Sequence, residues 1–133
     1  MINTKLTRKA MIIAYEAHKN QVDKSGVPYI YHPIHVAEQM DTENECIIAL
    51  LHDVVEDTNV TFKQLEEVFS KEIIDILKLL TREENIEYDE YIKRIKNNSI
   101  ACKVKIADLT HNLDKTRLDF VTEVDVKRNE RYK

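Results

Sequence analysis

Along most of the chain the apolar residues recur at steps of three and four, the period of a helix buried on one side. Leu6, Ala10, Ile13 and Ala17 form the first such stripe and predict a helix over about 7–20. A single Gly and one of two Pro then fall together in Asp23-Lys-Ser-Gly-Val-Pro-Tyr29, which reads as a loop. A second helix is expected to open at His32-Pro33, because proline suits the first helical position. A third, over 43–56, carries Ile47, Leu51, Val54 and Val55 on one face. Thr61 followed by Gln64 has the form of a capping box and opens a fourth over 62–69. Three more are predicted over 71–80, 88–96 and 99–113, with weak helical spacing over 119–133. Strand patterns are essentially absent. The expectation is an all-α, compact single domain over residues 1–133, built from about seven helices.

Composition narrows the classes of function. One Gly in 133 residues leaves no room for a Gly-rich phosphate loop. The 24 acidic against 20 basic residues give a net charge of −4, which argues against nucleic-acid binding. Charge is uneven: residues 41–90 hold 15 acids and 4 bases, whereas 91–133 hold 11 bases and 6 acids. Either the basic ends pack around an acidic middle, or a cleft has cationic rims over an acidic floor. Such a floor would repel a polyanion unless a cation sat on it. Cys46 and Cys102 form no pairing motif, and the N-terminus has no apolar leader. No apolar run reaches the length of a membrane span. The expected setting is a reduced cytoplasm, with no membrane association.

Three segments carry candidate chemistry. In Leu50-Leu-His-Asp-Val-Val-Glu-Asp-Thr58, helical spacing places His52, Asp53, Glu56 and Asp57 opposite the apolar face. His52 would stack over Glu56, and Asp53 over Asp57. The plain alternative is a solvated acidic face. In the helix over 99–113, Ile100, Val104 and Ala107 define one apolar face, and Cys102, Ile106, Leu109 and Leu113 another. A helix apolar on two sides is usually central. A carboxylate beside those faces, Asp108, is costly unless paired or bound to a metal. A Lys or Arg from another helix is the alternative partner. Asn112 lies one turn beyond it. In the third segment His32 follows aromatic residues and opens a helix, so it is expected to face inward. His18 and His35 read as ordinary hydrogen-bonded histidines, and His111 as packed. Two His and two Asp from three helices form a mixed nitrogen and oxygen set, suited to Mn²⁺ or Fe²⁺ more than to thiolate-bound zinc.

The doublet His52-Asp53, with a lone His before it and a lone Asp well after it, resembles the HD-domain phosphohydrolase superfamily. Three segments in order resemble one branch more closely: Lys24-Ser-Gly-Val-Pro-Tyr-Ile-Tyr-His-Pro33, Ala49-Leu-Leu-His-Asp-Val-Val-Glu-Asp-Thr58 and Val104-Lys-Ile-Ala-Asp-Leu-Thr-His-Asn112. That branch holds the hydrolase domain of the RelA/SpoT proteins and small stand-alone, Mesh1-type alarmone hydrolases. The resemblance implies Mn²⁺, or another divalent transition metal, held by His32, His52, Asp53 and Asp108. It implies that Glu56 and Asp57 polarise or deprotonate the attacking water, and that Lys24, Ser25 and Asn112 lie around the nucleotide. The implied reaction removes pyrophosphate from the 3′ position of guanosine tetra- or pentaphosphate, with no synthetase domain alongside. The basic side chains of Lys24, Lys105, Lys115 and Arg117 are candidate phosphate contacts. Asp23 stands where the alarmone hydrolases usually have Arg, and Leu109 where they commonly have Arg or Lys. Both departures fall where substrate is chosen. Open alternatives are hydrolysis of another nucleotide, as in a 5′-nucleotidase, an inactive nucleotide-binding module, and a structural helical protein.

Overall fold

Cys46 to Leu51 is the most deeply buried run among the described residues, each side chain at most 1% exposed. It lies on a helix against which four others pack. The computed structural model describes residues 1–113, and in these the chain forms eight helices. They are α1 (Lys5–Ala17), α2 (Tyr31–Glu38), α3 (Glu43–Leu51), α4 (Val54–Asp57), α5 (Phe62–Glu66), α6 (Lys71–Leu80), α7 (Tyr88–Lys96) and α8 (Ser99–Leu113). The expectations for Lys115, Arg117 and the 119–133 segment lie outside the described residues.

Local chemistry explains most of the boundaries. Thr4 and Thr7 close a capping box at the start of α1, as Thr61 and Gln64 do for α5. Ser70 and Thr42 cap α6 and α3 through their hydroxyls. The last three predicted helices have the expected bounds. Pro33 is the third residue of α2 rather than the first, still within the turn whose N–H groups lack helical partners. In α1 the buried face is Thr7, Ala10 and Ala14, while Leu6 stays exposed. Those small side chains let α1 lie against α3.

The main correction concerns the predicted helix over 43–56. It breaks at His52-Asp53 into α3 and α4. In a continuous helix the Ala49 carbonyl would accept from the Asp53 N–H; here His52 Nδ1 reaches that carbonyl at 2.6 Å. The split adds one helix to the expected all-α array of about seven, giving eight among the described residues. A second correction concerns α8. Ala101, Val104, Asp108 and His111 form its buried side, but Ile106 is 60% exposed and Cys102 and Leu109 are half-buried. Helix α8 packs on α2, α3, α6 and α7, so one of its sides is enclosed and the other opens beside α7.

Burying an Ile or Leu fully is worth about 1.5–3 kcal/mol each. Ile47, Ile48, Leu50 and Leu51 on α3, with Leu77 on α6 and Val104 on α8, form the centre of that core. This fixes α2, α3 and α8 side by side, and each of the three helices carries one part of the site.

Candidate active site

His32 enters from the first turn of α2, His52 and Asp53 from the break between α3 and α4, and Asp108 from the buried side of α8. One ligand atom from each lies within 4.8 Å of the others. His32 Nε2 is 2.7 Å from Asp108 Oδ1, and His52 Nε2 is 3.3 Å from the same oxygen. Asp53 Oδ2 lies 3.0 Å from His52 Nε2 and 4.0 Å from His32 Nε2. Neighbouring ligands around a first-row metal at roughly 2.1 Å stand about 3–3.4 Å apart, a range that the His52 separations from Asp53 and Asp108 meet, and the mixed nitrogen and oxygen set could hold such an ion.

Groups behind the donors orient them. The Nδ1 of His52 is taken by the Ala49 carbonyl, and the Nδ1 of His32 by His111 Nδ1 at 2.7 Å. Both imidazoles are thus turned with Nε2 inward. Metal-ligating histidines generally have their second nitrogen held in this way. Asp108 Oδ2 accepts from Lys105 Nζ at 3.2 Å and Oδ1 from Asn112 Nδ2 at 3.4 Å. Tyr29 donates its hydroxyl to Asp53 Oδ2.

The electrostatics are those of an anionic pocket. Burial alone would push the Asp108 carboxyl up, but hydrogen bonds from His32 and His52 and the charges of His52 and Lys105 hold it well below the ordinary range. Burial opposes the charged form of His52, and the two aspartates overcome it and hold that imidazole well above its usual value. Burial pushes Tyr29 upward, and the charge of Asp53 adds to it, so its hydroxyl stays a donor.

Glu56 and Asp57 are exposed residues of α4. Partial burial raises both above the usual carboxylate range; the charges of Asp57 and Asp53 add to this at Glu56, and that of Asp53 at Asp57. The break after α3 interrupts the continuous helix on which His52 was expected to stack over Glu56. The Asp53-to-Asp57 turn survives, with Asp57 N–H on the Asp53 carbonyl at 3.0 Å.

Lys24 and Ser25 occupy the loop after α1, where Asp23 is the organiser. Its Oδ1 accepts from Ser25 N–H at 2.8 Å and Val27 N–H at 3.0 Å, and Gly26 takes a φ of 80°. The Asp23 carboxylate is thus engaged in its own turn. Lys105 and Asn112, expected near substrate, are tied to Asp108. Two participants escaped the sequence reading. His111 is buried as expected, yet it also hydrogen-bonds His32 and stacks on His35 at 4.0 Å between ring centroids. Its spacing of three from Asp108 on one helix was the available signal. Tyr29 gave none, because only the fold brings it to Asp53.

A doublet of His and Asp at a helix break, completed by one His and one Asp from flanking helices, defines a class of helical domain. The chain belongs to the HD domain family, whose model matches residues 10–117. Among its relatives is the zebrafish (Danio rerio) guanosine-3′,5′-bis(diphosphate) 3′-pyrophosphohydrolase MESH1. The two are 35% identical over 124 residues, covering 84% of this chain and 69% of that one. The bifunctional (p)ppGpp synthase/hydrolase SpoT of Escherichia coli K12 is 31% identical over 124 residues, covering 82% of this chain and 18% of SpoT. The chain therefore spans about a fifth of the long relatives it matches. A solved structure of a metazoan ortholog of SpoT that hydrolyzes ppGpp superposes with a TM-score of 0.81 at 24% identity. It covers 99% of this chain and 83% of that one, a likeness of fold. No helix among the described residues is long and apolar enough to cross a membrane.

Proposed function

We propose that this chain is a metal-dependent nucleotide phosphohydrolase that removes pyrophosphate from the 3′ position of a guanosine 3′,5′-bis(diphosphate). The observation that carries the reading is the convergence of two imidazole nitrogens and two carboxylates beside a further pair of carboxylates with raised pKa. The names of the MESH1 and SpoT relatives point to the same reaction. Mn²⁺ is the ion we assign to His32, His52, Asp53 and Asp108, since the set has no thiolate; another divalent transition metal is the alternative. When bound, such a cation supplies a Lewis acid for phosphoryl oxygens and makes water more acidic.

The chain's own residues do the rest. Glu56 or Asp57 accepts a proton from the attacking water, and a raised pKa makes either a stronger base near neutrality. The water oxygen bonds to the phosphorus attached to the 3′-oxygen, the bond between that phosphorus and the 3′-oxygen breaks, and the 3′-oxygen takes a proton. Lys24, Ser25, Lys105 and Asn112 are assigned to the nucleotide, with Lys105 and Asn112 also steadying Asp108. We assign residues 1–133 to one such domain acting in the cytoplasm on a small-molecule nucleotide, without nucleic acid.

Engagement of Asp23 in its own turn favours a second reading, hydrolysis of another nucleotide, as in a 5′-nucleotidase. A hydrolysis screen with Mn²⁺ over guanosine tetraphosphate, NADPH, nucleoside triphosphates and nucleoside monophosphates separates the two. Pyrophosphate release from guanosine tetraphosphate well above the rest supports the first. Turnover confined to monophosphates, yielding nucleoside and phosphate, overturns it in favour of a 5′-nucleotidase.

A further inference from the structure

We infer that Tyr29 is a positioning residue of the metal centre: its hydroxyl fixes the orientation in which the Asp53 carboxylate meets the ion. The inference rests on the reading that the four-donor cluster holds a divalent cation. It starts from the loop between α1 and α2, which has no regular structure of its own and is nonetheless pinned at many points. Asp23 N–H bonds the Val27 carbonyl at 2.8 Å, and Tyr29 N–H bonds the Gln21 carbonyl at 2.8 Å. The Asp23 carboxylate takes two further N–H groups of the same loop. The Tyr29 carbonyl then accepts from His32 N–H at 2.9 Å, so the loop runs directly into α2 and its ligand.

The ring of Tyr29 sits between two imidazoles, with centroids 4.8 Å from His18 and 5.6 Å from His32. Its hydroxyl therefore arrives at Asp53 from a fixed direction. A carboxylate's last torsion is broad and two-fold, so which oxygen faces a metal is undecided without an outside partner. The other three donors have such partners in Ala49, His111, Lys105 and Asn112. Tyr29 completes the set for Asp53.

The same loop also holds the far end of the turn. Gln21 Nε2 donates to the Asp57 carbonyl at 3.0 Å, while His18 Nδ1 lies 2.8 Å from Gln21 Oε1. Since that amide oxygen can only accept, His18 carries its proton on Nδ1. Its buried Nε2 has no hydrogen-bond partner among the described residues. The loop therefore grips Asp53 by its side chain and Asp57 by its backbone, which keeps ligand and base in register.

The test is Tyr29→Phe in the full chain, with Mn²⁺ affinity read by calorimetry on chelator-treated protein. Metal-free melting temperature and nucleotide kinetics at several Mn²⁺ concentrations are measured alongside. Loss of an outer-shell partner typically weakens metal binding 10–100-fold. The expected result is a weakening of that order, an apo melting temperature within a few degrees of wild type, and activity restored toward wild type by excess Mn²⁺ with KM for nucleotide unchanged. Tyr31→Phe, on the exposed neighbour, should leave affinity unaltered. Equal Mn²⁺ affinity in wild type and Tyr29→Phe overturns the positioning role while leaving the metal reading intact. A wild-type protein that binds no Mn²⁺ overturns both. Should Tyr29→Phe fail to fold, 4-fluorophenylalanine at position 29 fills the hydroxyl's volume without donating, and the same outcomes decide.

Discussion

Asp108→Asn is the substitution that separates the roles of the buried carboxylate. Asparagine keeps the shape but removes the charge that faces Lys105 at 3.2 Å and the strong acceptor that His32 meets at 2.7 Å. Breaking a buried pair costs about 3–5 kcal/mol; the lower end applies because the long Lys105 stem can carry its ammonium toward water. With 133 residues, an unfolding entropy near 2.1 cal/mol/K per residue gives about 0.28 kcal/mol/K. The metal-free variant should therefore melt about 11 °C below wild type. The second effect is on metal linkage. At a hundredfold excess of Mn²⁺ over its Kd, binding stabilises wild type by about 2.7 kcal/mol, or about 10 °C. If losing the carboxylate weakens binding about a hundredfold, the same Mn²⁺ concentration stabilises the variant by only about 0.4 kcal/mol, or roughly 1.5 °C. Thermal melts of both proteins with and without Mn²⁺ read the two numbers independently. A variant that keeps the full metal-induced rise would remove Asp108 from the ligand set, whatever its metal-free stability.

The remaining predictions use the same protein. The Glu56→Gln, Asp57→Asn double variant should lose about 10²–10⁴-fold in nucleotide turnover. It should keep the Mn²⁺-induced rise in melting temperature; wild-type turnover would refute the assignment of either residue as base. The same double variant should melt higher than wild type when metal-free at pH 7, with the gain disappearing near pH 4. Both carboxyls have folded-state pKa values raised above their unfolded ones, so their contribution is fully present at low pH and is lost as pH rises through the folded values. Asp108 has the opposite sign, its contribution being present at neutral pH and lost as pH falls through its lowered value. Melts of chelated protein between pH 7 and about pH 4 check the first sign, and continuing them below about pH 4 checks the second. Gly26→Ala should cost about 1–2 kcal/mol, because φ of 80° strains an L side chain even though its Cβ would meet nothing within 4 Å. A melting temperature at or above that of wild type would show that the loop tolerates the change by moving.

The helical class, the bounds of α6, α7 and α8, and the capping box of α5 were legible because they depend on neighbours within about four positions: spacing of apolar residues and local caps. The four candidate donors were also legible, through the family resemblance that their order along the chain carries, and the fold brings one ligand atom from each within 4.8 Å of the others. What lies behind the donors was not. The break at His52-Asp53 arises because the His52 ring takes the Ala49 carbonyl, a competition that helical periodicity does not express. Ile106 and Leu109 satisfied an apolar pattern, yet the number of neighbours available to α8 decided which of its sides is enclosed. Hydrogen bonds join His32 to His111 across 79 positions, Asp108 to His32 across 76 and Tyr29 to Asp53 across 24. Contacts of that span exist only once α1, α2 and α8 have packed on α3. The sequence by itself determined which residues could hold a metal; the packing of those helices decided that they meet and what orients each one.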